Sequence, residues 1–303
     1  MFFHTKRLQY NAKPDRPAPM YAKMLQELVG GQFGEMSVML QYLFQGWNCR
    51  GPAKYRDMLL DIGTEEMAHV EMLATMIARL LEGAPVEDQE QASQVPVVGA
   101  IMGGLNAQNA VMAGLNPQHL IVSGQGALGV NSAGVPWNAG YIVASGNLLA
   151  DFRANLNAES QGRLQAVRLY EMTDDAGVRD MLSFLIARDT MHQNQWLAAI
   201  ADLEAEGLEM TPVPSTFPQE REKGDVSYQF WNLSAGEESA QGRWAQGPSP
   251  DGKGAFQYLA NPQPLGEAPQ ELPPADPRLH GTTKTPLPPT TSPGPATSPS
   301  TQG

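Results

Sequence analysis

Two tetrapeptides, Glu66-Met67-Ala68-His69 and Asp189-Thr190-Met191-His192, each interrupt an apolar stripe of helical period. The first stripe runs Leu59, Ile62, Glu66, His69, Leu73, Met76 and Leu80. The second runs Val178, Met181, Leu185, Asp189, His192, Trp196 and Ala199. Steps of three and four residues keep side chains on one face of a helix, so each carboxylate lies one turn from its histidine and both point at the core. Burying such groups without compensation costs several kcal/mol per ion. A chain carrying this pattern twice must supply opposite charge where the two faces meet.

Two further segments repeat the theme with one carboxylate each. Tyr21, Leu25, Leu28, Gln32, Glu35, Met39 and Tyr42 form one stripe, and Leu149, Phe152, Leu156, Glu159, Ala166 and Tyr170 form another, with Arg163 in phase. The periodicity predicts helices over about 19–46, 52–81, 141–172 and 175–207. Pro52 sits near a helix start, where proline is tolerated. Thr173-Asp174-Asp175 reads as a stop followed by an N-cap, and Pro212 and Pro214 close the helical region. Nearly sixty residues rich in Gly, Asn and Ala, 83–140, separate the two helix pairs. Short links within pairs and one long crossover between them predict an all-α, ferritin-like four-helix bundle over 1–214. Residues 215–260 lose the helical pattern but keep Tyr228, Phe230, Trp231, Trp244 and Phe256, so an extended, mostly irregular segment that wraps a neighbour is expected. In 261–303 Pro, Thr, Ser and Gly dominate, a composition that predicts disorder.

A net charge of -12 argues against nucleic acid and anionic membranes as partners. One cysteine, Cys49, excludes an intramolecular disulfide and reads as a small half-buried hydrophobe. No apolar run of about 18 residues occurs, so no membrane span is expected. The first ten residues carry too short an apolar stretch for a secretory signal, and a cytoplasmic protein is expected.

Carboxylate, carboxylate-x-x-His, carboxylate, carboxylate-x-x-His is the order in which ferritin-like dimetal sites are assembled. Two divalent cations would compensate the buried charge, and oxygen with imidazole ligation suits manganese or iron. A lone Glu or His on a helix is usually solvated, and Glu65 and Glu71, off the stripe, are read that way. His4, His119 and His280 are read as structural or exposed. Manganese and iron stay open on ligand type, so a di-iron oxidase or peroxidase, or an iron-storage protein, is the alternative to a manganese enzyme.

Several runs then narrow the choice. Met1-Phe2-Phe3, Gly31-Gln32-Phe33-Gly34-Glu35-Met36-Ser37, Thr64-Glu65-Glu66-Met67-Ala68-His69, Trp137-Asn138-Ala139-Gly140-Tyr141, Ser145-Gly146-Asn147-Leu148 and Leu169-Tyr170-Glu171-Met172-Thr173-Asp174 resemble the manganese catalases over roughly residues 1–245. The resemblance implies disproportionation of hydrogen peroxide to water and dioxygen at a dimanganese centre cycling between Mn(II)2 and Mn(III)2. It implies Glu35 and His69 on one ion, Glu159 and His192 on the other, and Glu66 bridging. Asp189, one methylene shorter than the Glu common in the wider class, is assigned beside the ligands, and Asp189 and Tyr42 are the candidates for proton transfer. The family also implies a homo-oligomer, expected to be a hexamer. Asp57 and Asp61, four apart on one helical face, repel unless a cation sits between them. With the resemblance they imply a calcium site completed by Asn232, Ser234 and Gly236.

Overall fold

The computed structural model describes residues 4–82, 119, 121–207, 219–223, 226–233, 235–263 and 265. The chain divides into two compact units, residues 1–224 and 225–303. The first is a ferritin-like bundle built from α1 (Pro19–Gly30), α2 (Glu35–Asn48), α3 (Ala53–Leu80), α4 (Leu148–Glu171) and α5 (Ala176–Ala205).

The first predicted helix is in fact two. α1 ends at Gly30 and α2 begins at Glu35, with Gly31 and Gly34 at the break. A Cβ on Gly31 would meet the Glu27 carbonyl oxygen at 2.4 Å, and one on Gly34 the Leu28 oxygen at 2.8 Å, so both positions require glycine's missing side chain. Ser37 Oγ donates to the Gly31 carbonyl at 3.0 Å and ties the break together. Glu35 becomes the first residue of a helix, where the N-terminal dipole favours an anion.

The third helix starts at Leu148, seven residues later than its periodicity suggests, because local chemistry stops it. Gly146 takes φ +83, and Asn147 caps the helix by accepting from the Ala150 N–H at 2.9 Å. Tyr141 belongs instead to a short turn, Ala139–Tyr141. The fourth helix begins as expected, with the Asp175 carboxylate accepting from the Val178 N–H at 2.9 Å.

Two apolar clusters fill the bundle, one toward each end. Leu25, Leu28, Met72, Leu73, Met76, Leu169, Met181 and Leu185 belong to one. Tyr42, Leu59, Ile62, Leu149, Phe152, Trp196 and Leu203 belong to the other. Every ionisable group on the stripes falls in the sequence gap between its two clusters. Beside them α2 and α4 share a buried amide layer: Gln41 and Gln45 both donate to Asn155 Oδ1 at 2.8 Å, and Gln45 Nε2 donates to the Val143 carbonyl at 2.7 Å. Of the long crossover, the returning part is described. Gln26 clamps it, donating to the Leu128 and Val130 carbonyls at 2.6 and 2.8 Å, and Gly30 leaves room for the Val130 backbone.

Within the mostly irregular second unit a small sheet forms. Gln229–Trp231, Gln246–Pro248 and Ala255–Leu259 (β1, β2 and β3) form a three-stranded sheet in the order β1-β3-β2. The β1–β3 pair is parallel and the β2–β3 pair antiparallel. Phe230 and Tyr258 pack across it at 5.6 Å between ring centroids, a cross-strand pair that short strands need. No helix among the described residues is long and apolar enough to cross a membrane.

Candidate metal centre

Five of the residues singled out by spacing converge midway along the bundle. Glu35, Glu66 and His69 can each bring one donor atom within 4.8 Å of the others, and so can Glu66, Glu159 and His192. All five are buried, with Glu66 and both histidines fully so. Glu66 belongs to both groups, and its two oxygens divide between them. Oε2 lies 2.6 Å from His69 Nδ1 and Oε1 lies 2.7 Å from His192 Nδ1. Glu35 Oε2 stands 3.6 Å from His69 Nδ1, and Glu159 Oε1 stands 3.5 Å from His192 Nδ1. The two imidazole centroids are 5.8 Å apart. The arrangement is nearly two-fold: helix pair α2–α3 supplies one half and α4–α5 the other, with Glu66 shared.

The donor set fits two cations. Glu66 Oε1 and His192 Nδ1 lie close but out of line for a hydrogen bond, and both are left without a hydrogen-bond partner in the interior. Native interiors rarely leave such atoms unused unless something else occupies their lone pairs. From the protein's charges alone the site is also frustrated. Burial, then Glu66, pushes Glu35 well above the usual carboxylate range. Burial pushes Asp189 well up too, with Glu159 and Glu66 adding to it. Glu159 is raised by burial and then by Glu66. Burial opposes charge on the histidines, yet Glu66 overrides it, holding His69 well up and His192 up to about 12. Glu66 itself, against its burial, is held low by His69 and His192. Divalent cations would relieve the carboxylate crowding and use neutral imidazole instead.

Tyr42 and Asp189 flank the centre. The Tyr42 hydroxyl donates to Glu159 Oε1 at 2.7 Å, and burial, followed by Glu159 and Glu66, raises it well above an ordinary phenol. Its hydroxyl proton is thus directed at Glu159. Asp189 is buried and belongs to neither three-residue group. Arg163, in phase on α4 without an evident partner in sequence, donates from Nε to Thr190 Oγ1 at 2.9 Å.

One assignment is overturned. Glu65 is no solvated residue: it is part-buried, with Oε2 3.1 Å from His192 Nε2 and Oε1 3.7 Å from His69 Nε2. Arg188 grips both of its oxygens, at 2.6 and 3.1 Å, and Gln9 donates to Oε1 at 2.8 Å. These neighbours hold its carboxyl far below the usual range against a partial desolvation. The signal existed in the sequence, since Glu65 and His69 are four apart and thus neighbours on the helix surface. Glu71 does lie at the surface, paired with exposed His4 at 2.9 Å. His119 is buried, its Nδ1 2.9 Å from the Gly126 carbonyl oxygen. His280 lies outside the described residues.

Of the candidate calcium ligands, Asp57 and Asp61 are exposed on α3. Within the second unit, Asn232 donates its backbone N–H to Leu259 at 2.9 Å and Gly236 adopts φ +98. Ser234 lies outside the described residues.

A family model described as manganese containing catalase matches residues 1–293. A manganese catalase of Bacillus subtilis is 62% identical over 282 residues, which are 93% of this chain and 98% of that one. A manganese catalase of Lactiplantibacillus plantarum is 46% identical over 282 residues, 92% and 98% of the two chains. Among solved structures, wild-type KatB, a manganese catalase from Anabaena, superposes with a TM-score of 0.64 at 27% identity, over 86% of this chain and 100% of that one. With a ferritin-like bundle, a shared carboxylate between two histidines and these relatives, the chain belongs to the manganese-containing catalase family.

Proposed function

We propose that Glu35, Glu66 and His69 hold one manganese ion, Glu66, Glu159 and His192 the second, and that Asp189 handles protons beside them. The enzyme is a catalase that disproportionates hydrogen peroxide to water and dioxygen. The observation that carries the ligand assignment is the division of Glu66, whose two oxygens each face a different histidine. Two ions that each change by one electron supply the two-electron acceptor and donor that the alternate halves of the reaction need. The chain's own residues do the rest. Tyr42 donates to Glu159 and fixes its orientation. Asp189, buried with Glu159 and Glu66 as its electrostatic neighbours, would exchange protons with peroxide once bound cations hold it ionised. The apolar clusters on either side confine the site to small molecules. Manganese and oxygen assays on the same purified samples test the reading: two ions per chain and oxygen release support it, and full activity without metal would sink it.

The same reading extends to assembly. A hexamer in the cytoplasm, with the second unit embracing a neighbour, fits the aromatic content of residues 215–260. Calcium held by Asp57 and Asp61 of one chain and by Asn232, Ser234 and Gly236 of a neighbouring chain would strap the neighbour's segment to α3 of the first, since all-oxygen sites suit this ion.

A further inference from the structure

Each carboxylate-x-x-His is preceded by a charged residue in the same helical place: Glu65 before Glu66, and Arg188 before Asp189. The near-two-fold axis therefore brings opposite charges together behind the histidines, and the two pair through both oxygens of Glu65. Both imidazoles turn Nδ1 toward Glu66 and Nε2 toward this one carboxylate. We propose that Glu65 is a positioning residue that orients both histidines at once and thereby couples the filling of the two metal half-sites.

The argument rests on the ligand reading above and adds a geometric constraint. A histidine that offers Nδ1 to a metal must carry its proton on Nε2, and an acceptor behind the ring fixes that tautomer. Usually each ligand histidine has its own acceptor. Here one carboxylate serves two, one oxygen toward each. The distances are unequal: 3.1 Å to His192, a hydrogen bond, and 3.7 Å to His69, whose Nε2 is left without a hydrogen-bond partner. Glu65 cannot simply rotate toward His69, because the Arg188 fork and Gln9 fix its plane. Because both rings share this braced carboxylate, the ring that settles first against one oxygen shifts the carboxylate with its brace as a unit, and so moves the other oxygen relative to the second ring.

Glu65→Gln isolates this role from the shared ligand Glu66. The amide keeps the shape but has one accepting oxygen, so its NH2 faces one of the two imidazoles. That ring can relieve the conflict only by moving its proton to Nδ1, the nitrogen needed for metal. Metal-free protein is titrated with Mn(II) and followed by native mass spectrometry and by the six-line electron paramagnetic resonance signal of isolated Mn(II). The wild type should pass from no ion to two with little one-ion protein. Glu65→Gln should accumulate the one-ion form with its six-line signal, the second ion weakened about 10- to 100-fold. Glu65→Gln filling both half-sites at wild-type affinity, or weakening both equally, would overturn the coupling. A wild type that binds no Mn(II) would instead overturn the ligand reading and this inference with it. Should Glu65→Gln lack wild-type helicity, Arg188→Gln carries the same test: the freed carboxylate can swing to one ring, and one-ion protein should again build up.

Discussion

The hydroxyl of Tyr42, on α2, donates a 2.7 Å hydrogen bond to Oε1 of Glu159, on α4, inside a fully buried aromatic cluster. Trp196 packs on the same ring at 4.9 Å, so the phenol has little freedom to turn away. Removing the hydroxyl leaves a buried carboxylate oxygen short of one charge-assisted partner. Tyr42→Phe should keep the fold and both ions but lower kcat on the order of 10-fold, corresponding to about 1.4 kcal/mol. Oxygen-electrode assays on samples matched for manganese content decide it. Unchanged kcat would show that Glu159 is oriented without Tyr42.

Glu66 should behave unlike any other ligand. Its two oxygens face the two halves of the centre, so Glu66→Ala removes a donor from each. Both ions and all activity should be lost together. Glu35→Ala touches only the His69 half and, at Mn(II) concentrations high enough to fill the remaining half-site alone, should leave about one ion per chain. Equal metal loss in the two variants would refute the division of roles.

Metal uptake should release protons and tighten as pH rises. His192 is held up to about 12 in the protein alone, and His69, Glu35 and Asp189 are raised well above their usual values. His192 therefore carries its proton near neutrality and the upward shifts of His69, Glu35 and Asp189 favour their protonated forms, whereas ligation needs neutral imidazole and ionised carboxylate. The sign for stability follows. Groups with raised values bind more protons folded than unfolded, so the stability they contribute is present below their unfolded values and lost as pH rises through the folded ones. Glu65 and Glu66 are shifted down, and they act only in the acid range. Between about pH 6 and about pH 9 the Tm of metal-free protein should fall with pH, while manganese affinity rises. A Tm of metal-free protein that climbs over this range would contradict the charge pattern of the centre.

Much of this was legible in the sequence, for a physical reason. Buried ionisable groups in phase with apolar stripes leave few arrangements other than convergence, and Glu35, Glu66, His69, Glu159 and His192 do converge. Periodicity could not place the helix ends. It ran through Gly31 and Gly34, where backbone close to backbone breaks the helix, and through Gly146-Asn147, where a cap starts one late. It also misread Glu65, because a residue that supports ligands from behind stands off the stripe that the ligands occupy. The strands of the second unit, three to five residues long, fall below what alternation can reveal.

Asp175 gives a prediction about the fold alone. Its carboxylate caps α5 by accepting from Val178 N–H, and also accepts from the backbone of Asp15 at 2.9 Å and Arg16 at 3.3 Å. An N-cap alone is worth about 1 kcal/mol, and the two added bonds tie the N-terminal segment to the same point. Asp175→Ala should cost on the order of 2 kcal/mol, lowering Tm with little change in metal content. Asp175→Asn, which keeps an accepting oxygen, should recover a large part of it. If the alanine variant melts as the wild type does, the cap contributes nothing.

The calcium proposal makes a different demand, because its loss should act on assembly before chemistry. Asp57 and Asp61 share the exposed face of α3, and like charges one turn apart repel. A cation between them would turn that repulsion into attraction and give residues 232–236 a fixed point to grip. Asp57→Ala with Asp61→Ala should then abolish calcium content and lower the oligomer mass at micromolar concentration, while manganese stays bound. Elemental analysis and light scattering on the same samples read both. Wild-type protein purified in calcium-containing buffer with no bound calcium would end the proposal, and so would a double variant unchanged in mass and calcium. A variant that lost manganese first would place the two acids with the bundle's own stability instead.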